Sequence, residues 1–180
     1  MARLRKFAAY RRVERPYTRI SKFRTKSYVR ARPNCRVVRF DMGELSTDFP
    51  YSVQLISKAQ MQLRDNAIEA ARQTSNRVLQ KHIGKTGWMF KIRMYPHHIL
   101  RENPLASGAG ADRMSTGMKA SFGKPIGIAA QVRKGQVLFQ IDTNKQHIAV
   151  AKDALRRAGS KMPFGTTIEV VEKKAVTTAK

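Results

Sequence analysis

The apolar residues of the first half of the chain predict two strands followed by a long helix. Residues Arg36–Phe40 (RVVRF) and Ser52–Ser57 (SVQLIS) are short apolar runs of the length and composition of strands. Residues Lys58–His82 carry small and apolar side chains at helical spacing, with Ala71 and Val78 on one face. Such a narrow face indicates a helix that packs closely against a neighbouring element.

The clearest strand pattern of the chain covers Trp88–Tyr95, where apolar and polar side chains alternate. His97–Leu100 predicts a short strand directly after it. Further on, alternation over Ile126–Val132 and again over Val137–Ile141, on either side of an Arg-Lys-Gly turn, predicts a β-hairpin.

The last part of the pattern predicts a second helix and a final strand. Thr143 and Gln146 have the spacing of a capping box, and apolar residues recur at helical spacing from Ile148 until Gly159. Thr166–Val171 predicts a strand. This order of elements predicts an α+β fold in which two helices pack on a mixed or antiparallel sheet.

One long segment, Arg101–Pro125, has no period of 2 or 3.6 and is therefore predicted to be a loop. It contains four glycines and four cations. Loops longer than about 12–15 residues are usually functional or disordered. Glycines allow the backbone to approach phosphates, while N–H groups and cations bind them. We therefore expect this loop to contact RNA.

The charge of the chain indicates a polyanionic partner. Lys and Arg number 36 against 12 Asp and Glu, a formal net charge of +24. Nucleic acid is the first candidate. A membrane surface is the second, but no apolar run approaches the roughly 18 residues that a span requires, and no signal peptide is visible. We therefore expect a cytoplasmic protein.

The metal-ligating residue types form no site in the sequence. The single Cys35 excludes an internal disulfide and any cysteine-based zinc site, and is expected to be an ordinary reduced thiol. His97 and His98 are adjacent, so on an extended chain they point to opposite sides and are not expected to share a metal. Packing or hydrogen bonding to RNA is the preferred interpretation for both.

Much of the positive charge lies in residues 1–32, which hold twelve cations, one acid and five aromatic residues. Aromatic rings stack on unpaired bases while cations meet phosphates, so this segment is interpreted as an arm that RNA orders. A solvated, disordered tail is the alternative. We expect an arm over residues 1–35, one domain over 36–171 and a flexible tail over 172–180. The cations expected to bind rRNA are Arg3, Arg5, Lys6, Arg11, Arg12, Arg15, Arg19, Lys22, Arg24, Lys26, Arg30, Arg32, Arg72, Arg77, Lys119 and Lys124.

Two segments partly match nucleotide-binding motifs, but neither has the residue spacing that the motif requires. Gly108-Ala-Gly110 resembles the start of a dinucleotide fingerprint, but Arg113 stands where the third glycine is required and no helix is predicted to follow. Gly84-Lys85-Thr86 lacks the first glycine of a phosphate-binding loop, because that position is Leu79. Asp112 is the only acid between Glu102 and Asp142. We expect no enzymatic activity, no cofactor and no metal.

Four strings together resemble one family. Ser107–Pro125 (SGAGADRMSTGMKASFGKP), Pro96–His98, Ile68–Arg72 and Ala154–Ala158 closely resemble the large-subunit ribosomal proteins called L sixteen in bacteria and L ten-e in archaea and eukaryotes. The resemblance covers nearly the whole chain. It favours the archaeal form, because the chain stops at Lys180, where the eukaryotic proteins continue.

The resemblance implies an α/β-hammerhead type of fold on the large-subunit rRNA, near the 5S RNA and the peptidyl transferase centre. It implies that the loop faces A- and P-site tRNA, that other ribosomal proteins are neighbours, and that a late-assembly factor is a partner. The residues of the tRNA-facing loop would be Arg101, Ser107, Gly108, Ala109, Gly110, Ala111, Asp112, Arg113, Met114, Gly117 and Met118. Two alternatives are a free architectural nucleic-acid-binding protein and an RNA-processing enzyme.

Overall fold

The computed structural model describes residues 7–18, 20–27, 29, 31–103, 108–114, 117 and 123–173. Its strands are β1 (Asp41–Gly43), β2 (Tyr51–Ser57), β3 (Met61–Arg64), β4 (Trp88–Ile92), β5 (His98–Glu102), β6 (Lys124–Val132), β7 (Val137–Thr143) and β8 (Thr166–Glu172). Its helices are α1 (Asp65–His82), α2 (Ala111–Met114) and α3 (Ile148–Gly159). Three short 3-10 turns cover Phe7–Tyr10, Arg24–Lys26 and Lys145–His147. None of the described helices is long and apolar enough to cross a membrane.

The strands form two antiparallel sheets. One sheet has five strands in the order β1-β4-β7-β2-β8, and the other has three in the order β3-β6-β5. Helices α1 and α3 pack against each other, and both contact the strands. The predicted α+β fold with two helices on antiparallel sheet is therefore confirmed, although the strands are divided between two sheets.

The main core lies between the two long helices and the sheets, and the alternation of β4 supplies much of it. Trp88, Phe90 and Ile92 are buried, and the Phe90 ring stacks on Phe139 of β7 with centroids 5.6 Å apart. Small residues bring α1 and α3 close, so that the Ser75 hydroxyl donates to a carbonyl oxygen of α3 over 3.2 Å. The buried face of α1 includes Ala71 and Val78, as the sequence predicted.

The strand predicted over Arg36–Phe40 is wrong. Two backbone N–H groups of this segment donate to carboxylates of α1, and only its last residue, Phe40, bonds to a neighbouring strand, through the Ile92 N–H of β4. The Arg36 N–H donates to Asp65 Oδ2 and the Val38 N–H donates to Glu69 Oε2, each over 3.2 Å. Because those donors are used, strand pairing begins only at β1, which follows Phe40.

Two further predictions, the start of the first long helix and the hairpin, are wrong because strands pair with partners distant in sequence. The helix expected from Lys58 begins at Asp65, since Met61–Arg64 forms β3 and pairs with β6. The hairpin expected between β6 and β7 does not form, because these strands belong to different sheets. The alternation of apolar and polar residues determines which side chains face inward, but it does not determine which strand is the pairing partner.

The capping box predicted at Thr143 is also wrong. Its hydroxyl donates to the Gly87 carbonyl oxygen over 3.0 Å, which ties β7 to the turn before β4. A 3-10 turn intervenes, and α3 begins at Ile148 without a side-chain cap. The predicted end of this helix at Gly159 and the final strand from Thr166 are confirmed, whereas most of the predicted tail lies outside the described residues.

Candidate nucleic-acid interface

The long loop is closed at its base by the pairing of β5 with β6. Glu102 stands opposite Lys124, so the connecting segment runs from residue 103 to residue 123 and is shorter at each end than predicted. Gly123 has φ 133°, and a Cβ there would lie 3.0 Å from the Glu102 carbonyl carbon. A glycine is therefore required where the returning chain passes β5.

The described part of the loop contains a glycine turn and the one-turn helix α2. Gly108 and Gly110 have φ of 126° and 77°, values that favour glycine. The Gly108 carbonyl oxygen accepts from Ala111 N–H, and α2 follows at once, contrary to the expectation that no helix opens there. Arg113 is exposed, and Met114 is 80% exposed. Side chains that a partner can reach therefore stand beside a backbone conformation that favours glycine.

Described parts of the N-terminal arm pack on the three-stranded sheet. Tyr10 is buried with Leu100 of β5 and with β6, and Val29 is buried with Ile99 and Ile128. The Gln62 side-chain amide also donates to a backbone carbonyl oxygen of the arm. Parts of the arm are thus anchored by apolar side chains, which the charge pattern alone did not reveal.

Tyr17 joins the arm to the strand that leads into the loop. Its N–H donates to His98 Nδ1 over 2.9 Å, its carbonyl oxygen accepts from Ile99 N–H over 2.8 Å, and Arg101 lies over its ring. Burial lowers the pKa of His98, and the positive charge of Arg101 lowers it further. A neutral imidazole keeps Nδ1 free to accept the Tyr17 N–H bond.

The described cations predicted to bind rRNA are mostly exposed. The exposed ones are Arg11, Arg12, Arg15, Lys22, Arg24, Lys26, Arg32, Arg77 and Lys124. Arg3, Arg5, Lys6, Arg19, Arg30 and Lys119 lie outside the described residues, as do Ser107 and Met118 of the loop and the side chain of Asp112. Arg36 and Arg39 are two further exposed cations, which the sequence analysis assigned only to a strand. Their positive charge was the feature of the sequence that could have marked them as candidates for rRNA binding.

Arg72 differs from the other predicted cations because its guanidinium forms an ion pair with the carboxylate of Glu69. Its Nε and Nη2 donate to the two oxygens of Glu69 over 2.8 and 2.5 Å. These hydrogen bonds lower the pKa of Glu69, against the opposing effect of burial. Glu69 also accepts from the Val38 N–H, so the pair ties α1 to the segment before β1. Within this structure Arg72 serves the fold.

The arrangement offers cations, apolar anchors and a glycine-rich loop, but no visible reaction chemistry. The part of the chain that the structure describes contains no group of three or more His, Cys, Asp or Glu side chains able to hold a metal ion. Cys35 is half-buried within the described residues and forms no disulfide there.

Comparison with known proteins places this geometry in a family. The family model described as ribosomal protein L16p/L10e matches residues 14–169. A large ribosomal subunit protein uL16 of Archaeoglobus fulgidus is 48% identical over 164 residues, 91% of this chain and 90% of its own length. The uL16 protein of Methanococcus maripaludis strain C7 is 48% identical over 170 residues, 94% and 95% of the two chains.

A third relative, the uL16 protein of Methanocella arvoryzae, is 47% identical over 150 residues, 83% of this chain and 87% of its own length. The matched residues include most of the arm, both long helices and the loop. The chain therefore belongs to the ribosomal protein L16p/L10e family and is a structural constituent of the large subunit of the cytoplasmic ribosome, not an enzyme.

Proposed function

We propose that this chain binds the large-subunit rRNA near the 5S RNA and the peptidyl transferase centre, and that its loop supports tRNA positioning. The observation that carries this proposal is the joining of a cationic arm to the base of the loop through Tyr17, His98 and Arg101. An arm held by rRNA would thereby fix the strand from which the loop extends.

The arm, residues 1–35, is the main rRNA anchor of this proposal, and residues 36–171 are the domain that it anchors. Its exposed cations suit the phosphates of rRNA helices, which are recognised largely through backbone and shape. The buried rings and aliphatic side chains of the arm, Tyr10 and Val29, hold it against β5 and β6. The rRNA therefore meets a partly ordered arm and has less chain entropy to offset.

The loop is the tRNA-facing element of this proposal. Its two ends are fixed by the pairing of Glu102 with Lys124, while Gly108 and Gly110 give its described turn a conformation that favours glycine. Exposed Arg113 suits the backbone of an A- or P-site tRNA, and a late-assembly factor would meet the same surface during subunit maturation. The loop acts through contact and position.

Binding to large subunits tests the first half of the proposal. The full chain should co-sediment with large subunits after a high-salt wash and should prefer deproteinised large-subunit rRNA to duplex DNA of equal length. Equal affinity for both, with a common salt slope of about 0.9 per phosphate, would indicate a general polyanion binder and refute specific rRNA binding.

Replacement of residues 107–118 by a short Gly-Ser linker tests the second half. The variant should fold and enter large subunits, but those subunits should accommodate aminoacyl-tRNA slowly or accumulate as late precursors. The control replaces the exposed residues 45–48 in the same way and should behave as the wild type. Normal tRNA accommodation and normal maturation with the linker in place would contradict the tRNA-facing role.

A further inference from the structure

A cleft of about 780 Å³ opens between the arm and the segment that follows β4. It is lined by arm residues 13–16, by residues 91–95 with His97 and His98, by Phe40, and by residues of β6 and of the turn that follows it. None of its lining residues belongs to the loop, and it adjoins the Tyr17–Arg101 contact through His98, which accepts the Tyr17 N–H. Its volume lies within the range of sites that take a single small organic group.

One wall of the cleft carries a row of three rings. Phe40 stacks on Tyr95 with centroids 5.2 Å apart and planes at 27°, and the Tyr95 ring lies 4.7 Å from that of His97. Tyr95 is 39% exposed although it is a large aromatic residue. Arg32, which is not among the lining residues, lies over the Tyr95 ring and donates to the Pro96 carbonyl oxygen, so it braces this wall from outside.

The charge and hydrogen-bonding groups around these rings suit a nucleotide. The described lining residues include four cations, Arg15, Lys91, Arg93 and Arg133, against the single carboxylate of Glu14. Lys91 lies 3.6 Å from Asp41, whereas Arg93 and Arg133 are exposed at the rim. Exposed cations meet phosphates, and exposed rings beside them meet a base.

A buried side-chain amide borders the cleft. Gln131 lines it, and the Nε2 atom of this side chain is buried without a hydrogen-bond partner among the described residues. Leaving such a donor unsatisfied costs on the order of 1–3 kcal/mol by itself. The Oε1 atom of Gln62, the cross-strand partner of Gln131, is also buried without a hydrogen-bond partner, so the protein itself holds an unpaired acceptor opposite this donor. An acidic peptide would suit the cations but would leave the rings unused.

We propose that this cleft receives one unpaired nucleotide of RNA, with its base against the Phe40–Tyr95–His97 rings and its phosphates on Arg93 and Arg133. This inference rests on the proposed rRNA binding and names a site for it between the arm and the segment around Tyr95, outside the loop. Unpaired bases splayed from RNA are the usual targets of such aromatic surfaces.

Ultraviolet crosslinking in assembled large subunits locates the occupant. Subunits that contain the full chain are irradiated and digested, and peptide–nucleotide adducts are mapped by mass spectrometry. We expect an adduct on Tyr95 or His97. Adducts on the arm with none between residues 91 and 98 would overturn the cleft site and leave rRNA binding intact. Capture of a neighbouring protein through a crosslinker on Lys91, without a nucleotide adduct, would also overturn it.

Affinity for deproteinised large-subunit rRNA separates stacking from charge. Tyr95→Ala should weaken binding on the order of tenfold with an unchanged salt slope, whereas Tyr95→Phe should bind as the wild type. Arg93→Ala should lower the slope by about 0.7. Tyr51→Ala, a matched change outside the cleft, should have no effect on binding. A Tyr95→Ala variant that is folded, as checked by thermal melt, and that binds rRNA with wild-type affinity would refute the stacking site. A wild-type chain that does not bind rRNA would instead refute the proposed function.

Discussion

The guanidinium carbon of Arg101 lies 3.8 Å from the centroid of the Tyr17 ring. Tyr17 belongs to the arm, and Arg101 is in the last part of β5, directly before the loop. The β5–β6 register shifts between Leu100 and Arg101, and such an irregularity re-aims the side chain that follows it. The arm and the loop base therefore meet in one cation–π contact.

This contact is expected to stabilise the fold measurably. Because a cation over an aromatic face contributes about 0.5–2 kcal/mol, a double-mutant cycle of Tyr17→Leu and Arg101→Met should give a coupling energy in that range. Leucine keeps the apolar volume at Tyr17, and the cycle subtracts the other interactions of Arg101. Urea unfolding of the four proteins supplies the measurement. A coupling energy indistinguishable from zero would show that the two side chains are merely adjacent.

The Glu69–Arg72 pair predicts a loss of stability in acid. The folded-state pKa of Glu69 lies below its ordinary value of 4.5, chiefly because Arg72 donates to it. Its carboxylate therefore stabilises the fold above the unfolded pKa, and that contribution disappears as pH falls through the lower folded pKa. Glu69→Gln should cost about 1.5–3 kcal/mol at pH 7, with the difference from wild type shrinking below about pH 4.5.

Asp153 provides the control for that measurement. It accepts from Arg156 and Arg157, whose side chains are largely exposed, and these hydrogen bonds also hold its pKa below the usual range. Because solvent screens this group, Asp153→Asn should cost less than about 1 kcal/mol at pH 7. Equal losses in the free energy of unfolding for the two variants, measured by chemical denaturation, would mean that the partial burial of Glu69 does not increase its contribution to stability.

Gly43 is predicted to be the most sensitive glycine among those described. It has φ 87°, and a Cβ there would lie 2.2 Å from the Trp88 carbonyl oxygen at the β1–β4 pair. Gly84 has φ 96° with no neighbour within 4 Å, so Gly84→Ala measures the backbone strain alone, about 1–2 kcal/mol. Gly43→Ala should cost clearly more in urea unfolding, because the clash adds to that strain. Equal costs would show that β1 moves aside without penalty.

The exposed cations of the arm are predicted to set the salt dependence of rRNA binding. Replacing Lys22, Arg24 and Lys26 by Gln should lower the slope of log affinity against log salt by about 2–3, because each phosphate contact contributes about 0.7–0.9. The matched control replaces Lys152, Arg156 and Arg157 on the outer side of α3, which removes the same charge. An identical fall in slope for both variants would mean that total charge, and not the arm, governs binding.

These substitutions test the arm better than its deletion does. Tyr10 and Val29 are buried against β5 and β6, so a chain without residues 2–32 would expose apolar sheet surface as well as lose cations. Its weaker binding would then mix a loss of stability with a loss of charge. Thermal melts of the substituted chains should match the wild type, which isolates the electrostatic effect.

The sequence by itself determined the features that depend on local pattern and composition. Spacing and residue type predicted four of these features: the alternation from Trp88, the helix ending at His82, the helix ending at Gly159 and the unpatterned segment around Gly108. The excess of cations indicated a polyanionic partner, with nucleic acid as the first candidate, because net charge does not depend on folding.

The tertiary structure alone decided which elements meet. Arg36–Phe40 has the composition of a strand, but buried Asp65 and Glu69 take its backbone donors, and these lie 29 and 31 residues further along the chain. Likewise β6 alternates as a hairpin strand would, yet it pairs with β3 and β5. The arm has the charge of a solvated tail, yet Tyr10 and Tyr17 hold it to β5. Each outcome depends on contacts between residues distant in sequence, and a local pattern carries no information about such partners.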